Sequence, residues 1–212
     1  MTPSVSLRLP APSEREPGRE PGREPERGTQ KPPSLREVAR EAGRKESATE
    51  QLQKTILKGT GKMKIAIGND HVGVELKQHL VDYLTGKGYE VVNFGTDAPE
   101  SNHYPIYAQK VAEAVVSGAC DRGILICGTG IGISMAANKV KGVRCALCSE
   151  PVSCQLSREH NNANIVAMGA RMIGPVMAEA IVDTFLTTEF SGGRHSIRVN
   201  MIADIENGVE LS

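Results

Sequence analysis

Arg122 to Lys139 reads RGILICGTGIGISMAANK. A short apolar run closes at Cys127, glycines follow at alternate positions 128, 130 and 132, and a helical pattern begins at once. Such a strand–turn–helix junction suits either the phosphates of a nucleotide or a site built around the cysteine. The nucleotide alternative is weak. A dinucleotide fingerprint is G-x-G-x-x-G in the first βα turn, whereas here the spacing is G-x-G-x-G, with Ile133 in the last position. Glu150, about 20 residues on, still speaks for a nicotinamide cofactor. A P-loop fails because no Gly-Lys-Ser/Thr follows. On either reading, backbone N–H groups of a tight glycine turn can hold an anion.

Outward from this stretch the same alternation recurs. Lys64 to Gly68 (KIAIG) reads as a strand, and Val74 to Gly88 as a helix with Leu76, Leu80, Tyr83 and Leu84 on one face. Tyr89 to Gly95 precedes a helix that starts with Pro105 in its first turn. Val143 to Ser149 precedes Pro151 to His160, Asn164 to Gly169 precedes Pro175 to Leu186, and a last helix is expected near Arg198 to Asn207. Five βα units predict an α/β fold, a three-layer αβα sandwich around a five-stranded parallel sheet. Ligands of such sheets bind at the carboxyl ends of the strands.

The amino-terminal stretch differs in kind. REPGREPGREPERG, from Arg15, alternates charge with helix- and strand-breaking residues and leaves almost nothing apolar to bury. Ser34 to Gly59 has a thin helical repeat (Leu35, Val38, Ala39, Ala42) behind a Ser34 cap. Every Phe and Tyr lies beyond residue 62. Residues 1–62 are therefore expected to be a disordered extension with a short helix, and residues 63–212 the folded domain. Lys+Arg and Asp+Glu both number 25, split 13 against 9 up to residue 62 and 12 against 16 beyond it. That balance gives no electrostatic reason to expect nucleic acid or a membrane surface as partner. No run approaches the roughly 18 apolar residues of a membrane span, and no apolar signal region opens the chain, so a soluble cytoplasmic protein is expected. Five cysteines, an odd number, fit reduced thiols.

Polar residues gather in the turns. Asp70 and His71 follow the first strand, Cys127 and Thr129 the third, and His160 and Asn161 fall in the turn expected before the fifth. Arg171, Arg194, His195 and Arg198 come later. All are expected to converge on one sheet edge. Singly, each has an ordinary explanation: Asp70 as a helix cap, Cys127 as a small core residue, the arginines as a solvated face. Jointly they supply a proton acceptor, histidines, backbone donors and cations suited to a phosphate monoester. Cys145-x-x-Cys148 is half a zinc motif, expected on a buried strand, so no metal is expected.

GNDHVGVELK, ICGTGIGISMAANK, CSEPVSCQLSREHNNANIVAMGARMIG and GGRHSIRV together resemble the B-type ribose-5-phosphate isomerases, whose group includes galactose-6-phosphate isomerase subunits. The resemblance runs from Met63 to the last helix and implies a Rossmann-like fold. It also implies a cofactor-free and metal-independent aldose–ketose isomerase, a homodimer or homotetramer with sites at the subunit interface. By motif position, Cys127 is the base moving a proton between C1 and C2, with Thr129 beside it. Gly128, Thr129, Gly130, Ile131 and Gly132, with Ser134 nearby, hold the cis-enediolate oxyanion. His160 opens the furanose ring with help from Asp70, Asn161 binds sugar hydroxyls, and Tyr104 lines the sugar pocket. His71, Arg171, Arg194 and Arg198 hold the phosphate, some of them from the partner subunit. The implied reaction interconverts ribose 5-phosphate and ribulose 5-phosphate in the non-oxidative pentose phosphate branch. Alternatives are a hexose 6-phosphate (allose or galactose 6-phosphate) isomerase and an inactive partner-binding homologue. Two departures bear on sugar preference: His103 stands where the family has an acid, and Asn69 replaces a smaller residue.

Overall fold

The computed structural model describes residues 61–211. The expected disordered extension and its short helix lie outside the described residues, apart from Gly61 and Lys62. Five strands, β1 (Lys64–Asn69), β2 (Glu90–Asn93), β3 (Arg122–Cys127), β4 (Cys145–Leu147) and β5 (Ile165–Gly169), form one sheet in the order β2-β1-β3-β5-β4. Every pairing is parallel. The α-helices are α1 (Val74–Gly86), α2 (Tyr104–Val116), α3 (Ile131–Ala137), α4 (Pro151–Asn161), α5 (Pro175–Thr187) and α6 (Arg194–Glu206), with a single 3-10 turn at His71–Gly73.

Between their end residues the central strands carry no polar side chain, because both faces are covered. Ile65, Ile67, Ile124, Ile126, Val166 and Met168 pack with Leu80 and Leu84 of α1 and with Ile181, Val182 and Phe185 of α5. The intervening residues Ala66, Leu125, Cys127, Ile165 and Ala167 pack with Val111 and Val115 of α2 and Ile133 of α3. Full burial of an aliphatic side chain stabilises by about 1.5–3 kcal/mol, so these two layers hold the sandwich together. Pro105 does sit in the first turn of α2.

Two expectations about segment limits are corrected. β4 is only three residues long and forms a sheet edge, leaving Cys145 half-buried although Cys148 just beyond it is buried. Edge strands are commonly short, since a long one exposes unpaired N–H and C=O groups. The last helix starts at Arg194, four residues before the expected point, directly after Gly192 (φ 63°) and Gly193 (φ 55°). The glycine pair makes the break, so Arg194 and His195 are already helical. None of the residues of α6 is buried.

Candidate active site

The chain crosses from one half of the sheet to the other between β1 and β3, so their carboxyl ends diverge into a crevice. Asp70 and His71 follow β1, and Cys127 ends β3. Asp70 N donates to Ile126 O (3.1 Å), and the buried Asp70 carboxylate accepts from Val72 N (2.9 Å), capping the 3-10 turn. Cys127 is 4% exposed, and its Sγ accepts the Gly130 N–H at 3.1 Å. The turn closes because Gly130 adopts φ 78°, a left-handed conformation that also brings it onto the Met168 backbone. Thr129 is exposed and its Oγ1 accepts from Ile131 N (3.3 Å). Ser134 turns inward instead, its hydroxyl donating to Ile131 O (2.7 Å).

Two further candidates close around this turn. A Cβ at Gly132 would lie 2.6 Å from Tyr104 Cζ and 2.8 Å from the Tyr104 hydroxyl, so the phenol rests directly on the glycine. Arg171 N donates to Gly128 O (3.1 Å), and its side chain passes beside Gly128 opposite Val72. Thus Asp70, His71, Tyr104, Cys127, the Gly128–Gly132 turn and Arg171 share the carboxyl edge.

The expected convergence of all polar turns on that edge is not what the fold does. His160 and Asn161 lie in the last turn of α4, not in the following turn, because Asn162 (φ 47°) ends the helix. A helix that leads into a parallel strand ends at the strand's amino end. With about 3.3 Å per residue, β5 alone separates the two edges by roughly 13 Å. His160 stacks on His195 of α6 with centroids 4.2 Å apart and planes 5° from parallel. Arg194 and Arg198, four residues apart on α6, share a face beside this pair. Burial first, then the charges of His160, Arg194 and Arg198, lower the proton affinity of His195. These five residues form a second, amino-edge cluster. A cavity of about 430 Å³ opens next to it, lined in part by Asn161, Arg144 and Ile202, and does not include Cys127.

Arg158 explains why this edge holds its shape. Its guanidinium is 1% exposed and donates to Thr188 O (3.1 Å), Asn162 Oδ1 (3.0 Å) and Ala163 O (2.6 Å), above the Phe185 ring. Burial pushes its pKa down to about 10. One side chain thus clamps the end of α4 to the end of α5. Nothing in the sequence pattern marked Arg158, which reads as another surface cation.

Glu150, the residue that spoke for a nicotinamide cofactor, is used up locally. Its carboxylate caps α4, accepting from Val152 N (2.5 Å), Ser153 N (2.7 Å) and the Ser153 hydroxyl, and these bonds, Ser153 first, lower its pKa. Among the described residues, no three or more His, Cys, Asp or Glu side chains gather as a metal site. No described helix is long and apolar enough to cross a membrane.

A cysteine on a glycine turn at the switch point of a parallel αβα sheet, with a carboxylate nearby and cationic groups apart from it, suits the class of α/β proteins that move a proton on a small anionic molecule. The chain belongs to the Ribose/Galactose Isomerase family, which matches residues 65–202. It is 52% identical over 143 residues to ribose-5-phosphate isomerase B of Escherichia coli, covering 68% of this chain and 96% of that one. The solved ribose-5-phosphate isomerase B of Clostridium thermocellum is 56% identical with a TM-score of 0.68, over 69% of this chain and 99% of that chain. A D-erythrulose-4-phosphate isomerase of Pectobacterium atrosepticum is 42% identical over 146 residues, 68% of this chain and 96% of the other.

Proposed function

We propose that residues 63–212 catalyse interconversion of D-ribose 5-phosphate and D-ribulose 5-phosphate in the cytoplasm, through a cis-enediolate and with two copies of the chain completing each site. The observation that carries the reading is Cys127 Sγ, held against the Gly130 amide at the end of β3 in the crevice of the sheet. A thiolate there takes the proton from C2 of the open-chain aldose and returns it to C1. Backbone N–H groups of the Gly128–Gly132 turn offset the charge that grows on the sugar oxygen. Thr129 lies on the proton's path and Tyr104 walls the sugar. His71 and Arg171 take the phosphate from the carboxyl edge.

The remaining roles sit at the wrong end of the same chain. His160, which opens the ring with Asp70, together with Asn161, Arg194 and Arg198, reaches a Cys127 site only from a second copy. An apolar surface fits that arrangement: Met135 (62% exposed), Val152 (64%), Leu156 (43%) and Ile197 (65%) lie on α3, α4 and α6. A homodimer related by a two-fold axis uses such a self-complementary face and makes two equivalent sites. Support for ribose 5-phosphate comes from the relatives about 50% identical that carry that name.

The test is complementation. Cys127→Ser and His160→Ala proteins, each nearly inactive, are unfolded together, refolded and assayed with ribose 5-phosphate. Random pairing puts both lesions in one site of each mixed dimer and neither in the other, so about a quarter of wild-type activity returns. No recovery, with mixed dimers shown to form, would place each site within one chain. A chain beginning at Met63 keeps full kcat, since the extension enters no part of this chemistry. Parallel kcat/KM values for ribose, allose and galactose phosphates fix the sugar preference.

A further inference from the structure

His71 and Asn102 are bonded to each other in both directions. His71 N donates to Asn102 Oδ1 (3.1 Å), and Asn102 N donates to His71 Nδ1 (3.3 Å). An imidazole nitrogen that accepts a backbone N–H carries no proton, so the neutral ring keeps its hydrogen on Nε2. Both residues are half-buried. Asn102 belongs to the connection between β2 and α2, which is tied to β1 and α1 at three other points. Phe94 N donates to Ile67 O (2.8 Å). Asn69, fully buried, donates through Nδ2 to Asp70 O (2.8 Å) and Thr96 O (3.0 Å). Lys77, equally buried, extends its amine to Asp97, which also accepts from Asn93 Nδ2 (3.2 Å). The connection therefore arrives at residue 102 with little freedom, and two residues later delivers Tyr104 onto Gly132.

We propose that Asn102 is a positioning residue for the phosphate end of the site: through its reciprocal pair with His71 it fixes the Nε2–H tautomer, so that His71 meets a phosphate oxygen as a neutral hydrogen-bond donor. The proposal rests on the reading above that His71 touches the phosphate. It gives Asn69 a part as well, because a smaller residue at that position could not reach Thr96. The donor needs its hydrogen on Nε2, since a ring carrying it on Nδ1 would present a lone pair to an anion and forfeit the bond.

The experiment reads the tautomer and the affinity separately. Nitrogen-15 shifts of the His71 ring, recorded without substrate at a pH where it is neutral, are expected to show Nε2–H in wild type and a mixture in Asn102→Ala, which keeps the main-chain N–H of residue 102 but loses the Oδ1 anchor that holds it against Nδ1. Asn102→Asp keeps the accepting oxygen and so keeps the wild-type tautomer. In Asn102→Ala, KM for ribose 5-phosphate and Ki for inorganic phosphate rise about fivefold, the weight of one hydrogen bond, while kcat stays within twofold. An unchanged Tm verifies the fold, and the wild-type ring shifts alone test the pairing if Asn102→Ala does not fold. Hydrogen on Nδ1 in wild type, or an unchanged tautomer in Asn102→Ala, overturns the proposal. A shifted tautomer with unchanged KM and Ki also overturns it, by removing His71 from the phosphate. His71→Ala distinguishes that failure, because its KM would then be unchanged too.

Discussion

The two edges of this sheet are built by different means. At the carboxyl edge the backbone does the positioning: a left-handed glycine, a capped 3-10 turn and a glycine under a tyrosine ring leave each group one place to be. At the amino edge side chains do it, through a buried arginine, a histidine stack and a helix with no buried residue. Backbone devices hold atoms where bonds rearrange, and side-chain devices suit groups that must meet a second molecule first. The comparison predicts that a lesion at Cys127 strikes proton transfer, whereas lesions at the amino edge strike binding and ring opening.

Cys127→Ser tests the carboxyl edge most severely. The hydroxyl is a far weaker acid than a thiol, so turnover and solvent-deuterium exchange at C2 are both expected to fall about a thousandfold, within the usual range for loss of a general base, with Tm unchanged. Retained turnover would move the base elsewhere and dissolve the distinction. His160→Ala gives the complementary result, a loss of roughly a hundredfold on ring-closed substrate with deuterium exchange preserved on whatever open-chain sugar is present. Arg194→Ala and Arg198→Ala each remove charge-assisted contacts of about 1.5–3 kcal/mol, so KM rises some ten- to hundredfold and kcat changes little. If both bound ribose 5-phosphate as wild type does, the amino edge would lose its phosphate role.

Gly132→Ala probes the close packing under Tyr104. The added methyl displaces the ring, at a cost of about 1–3 kcal/mol in stability and a several-fold rise in KM, read by thermal unfolding and steady-state kinetics. The smallest effect concerns acid. His195 has a lowered proton affinity in the fold, so its neutral form contributes above the ordinary imidazole range and that contribution fades as pH falls through the lowered value. Tm is expected to decline modestly below about pH 6.5, and His195→Phe, which keeps a stacking ring that cannot ionise, flattens the decline. An identical slope in that variant would show that the stack does not titrate.

How much of this was legible depended on whether the cause was local. Strand and helix periodicity placed β1, β3 and β5 to within a residue or two, because both-face burial writes a continuous apolar run. The glycine turn after Cys127 was equally readable. Spacing alone says that a residue is in a turn but not which end of the sheet owns it, so His160 was drawn to the same edge as Cys127 by topology misread. Glu150 looked like a cofactor ligand because a capping carboxylate and a ribose ligand share the same address after a strand. Asn102 left no signal at all: its partner is 31 residues away, and only the closed β2–α2 connection brings them together.

Arg158 carries a consequence for how this sequence can drift. Its guanidinium donates to two backbone carbonyls and one amide oxygen, none of them a carboxylate. Lysine cannot reproduce a planar fork with three separate acceptors, and a neutral residue would leave those acceptors stranded. Losing Arg158 would loosen the α4 end without touching any group of the proposed site. The backbone that carries His160 and Asn161 thus depends on a residue that takes no part in the proposed chemistry.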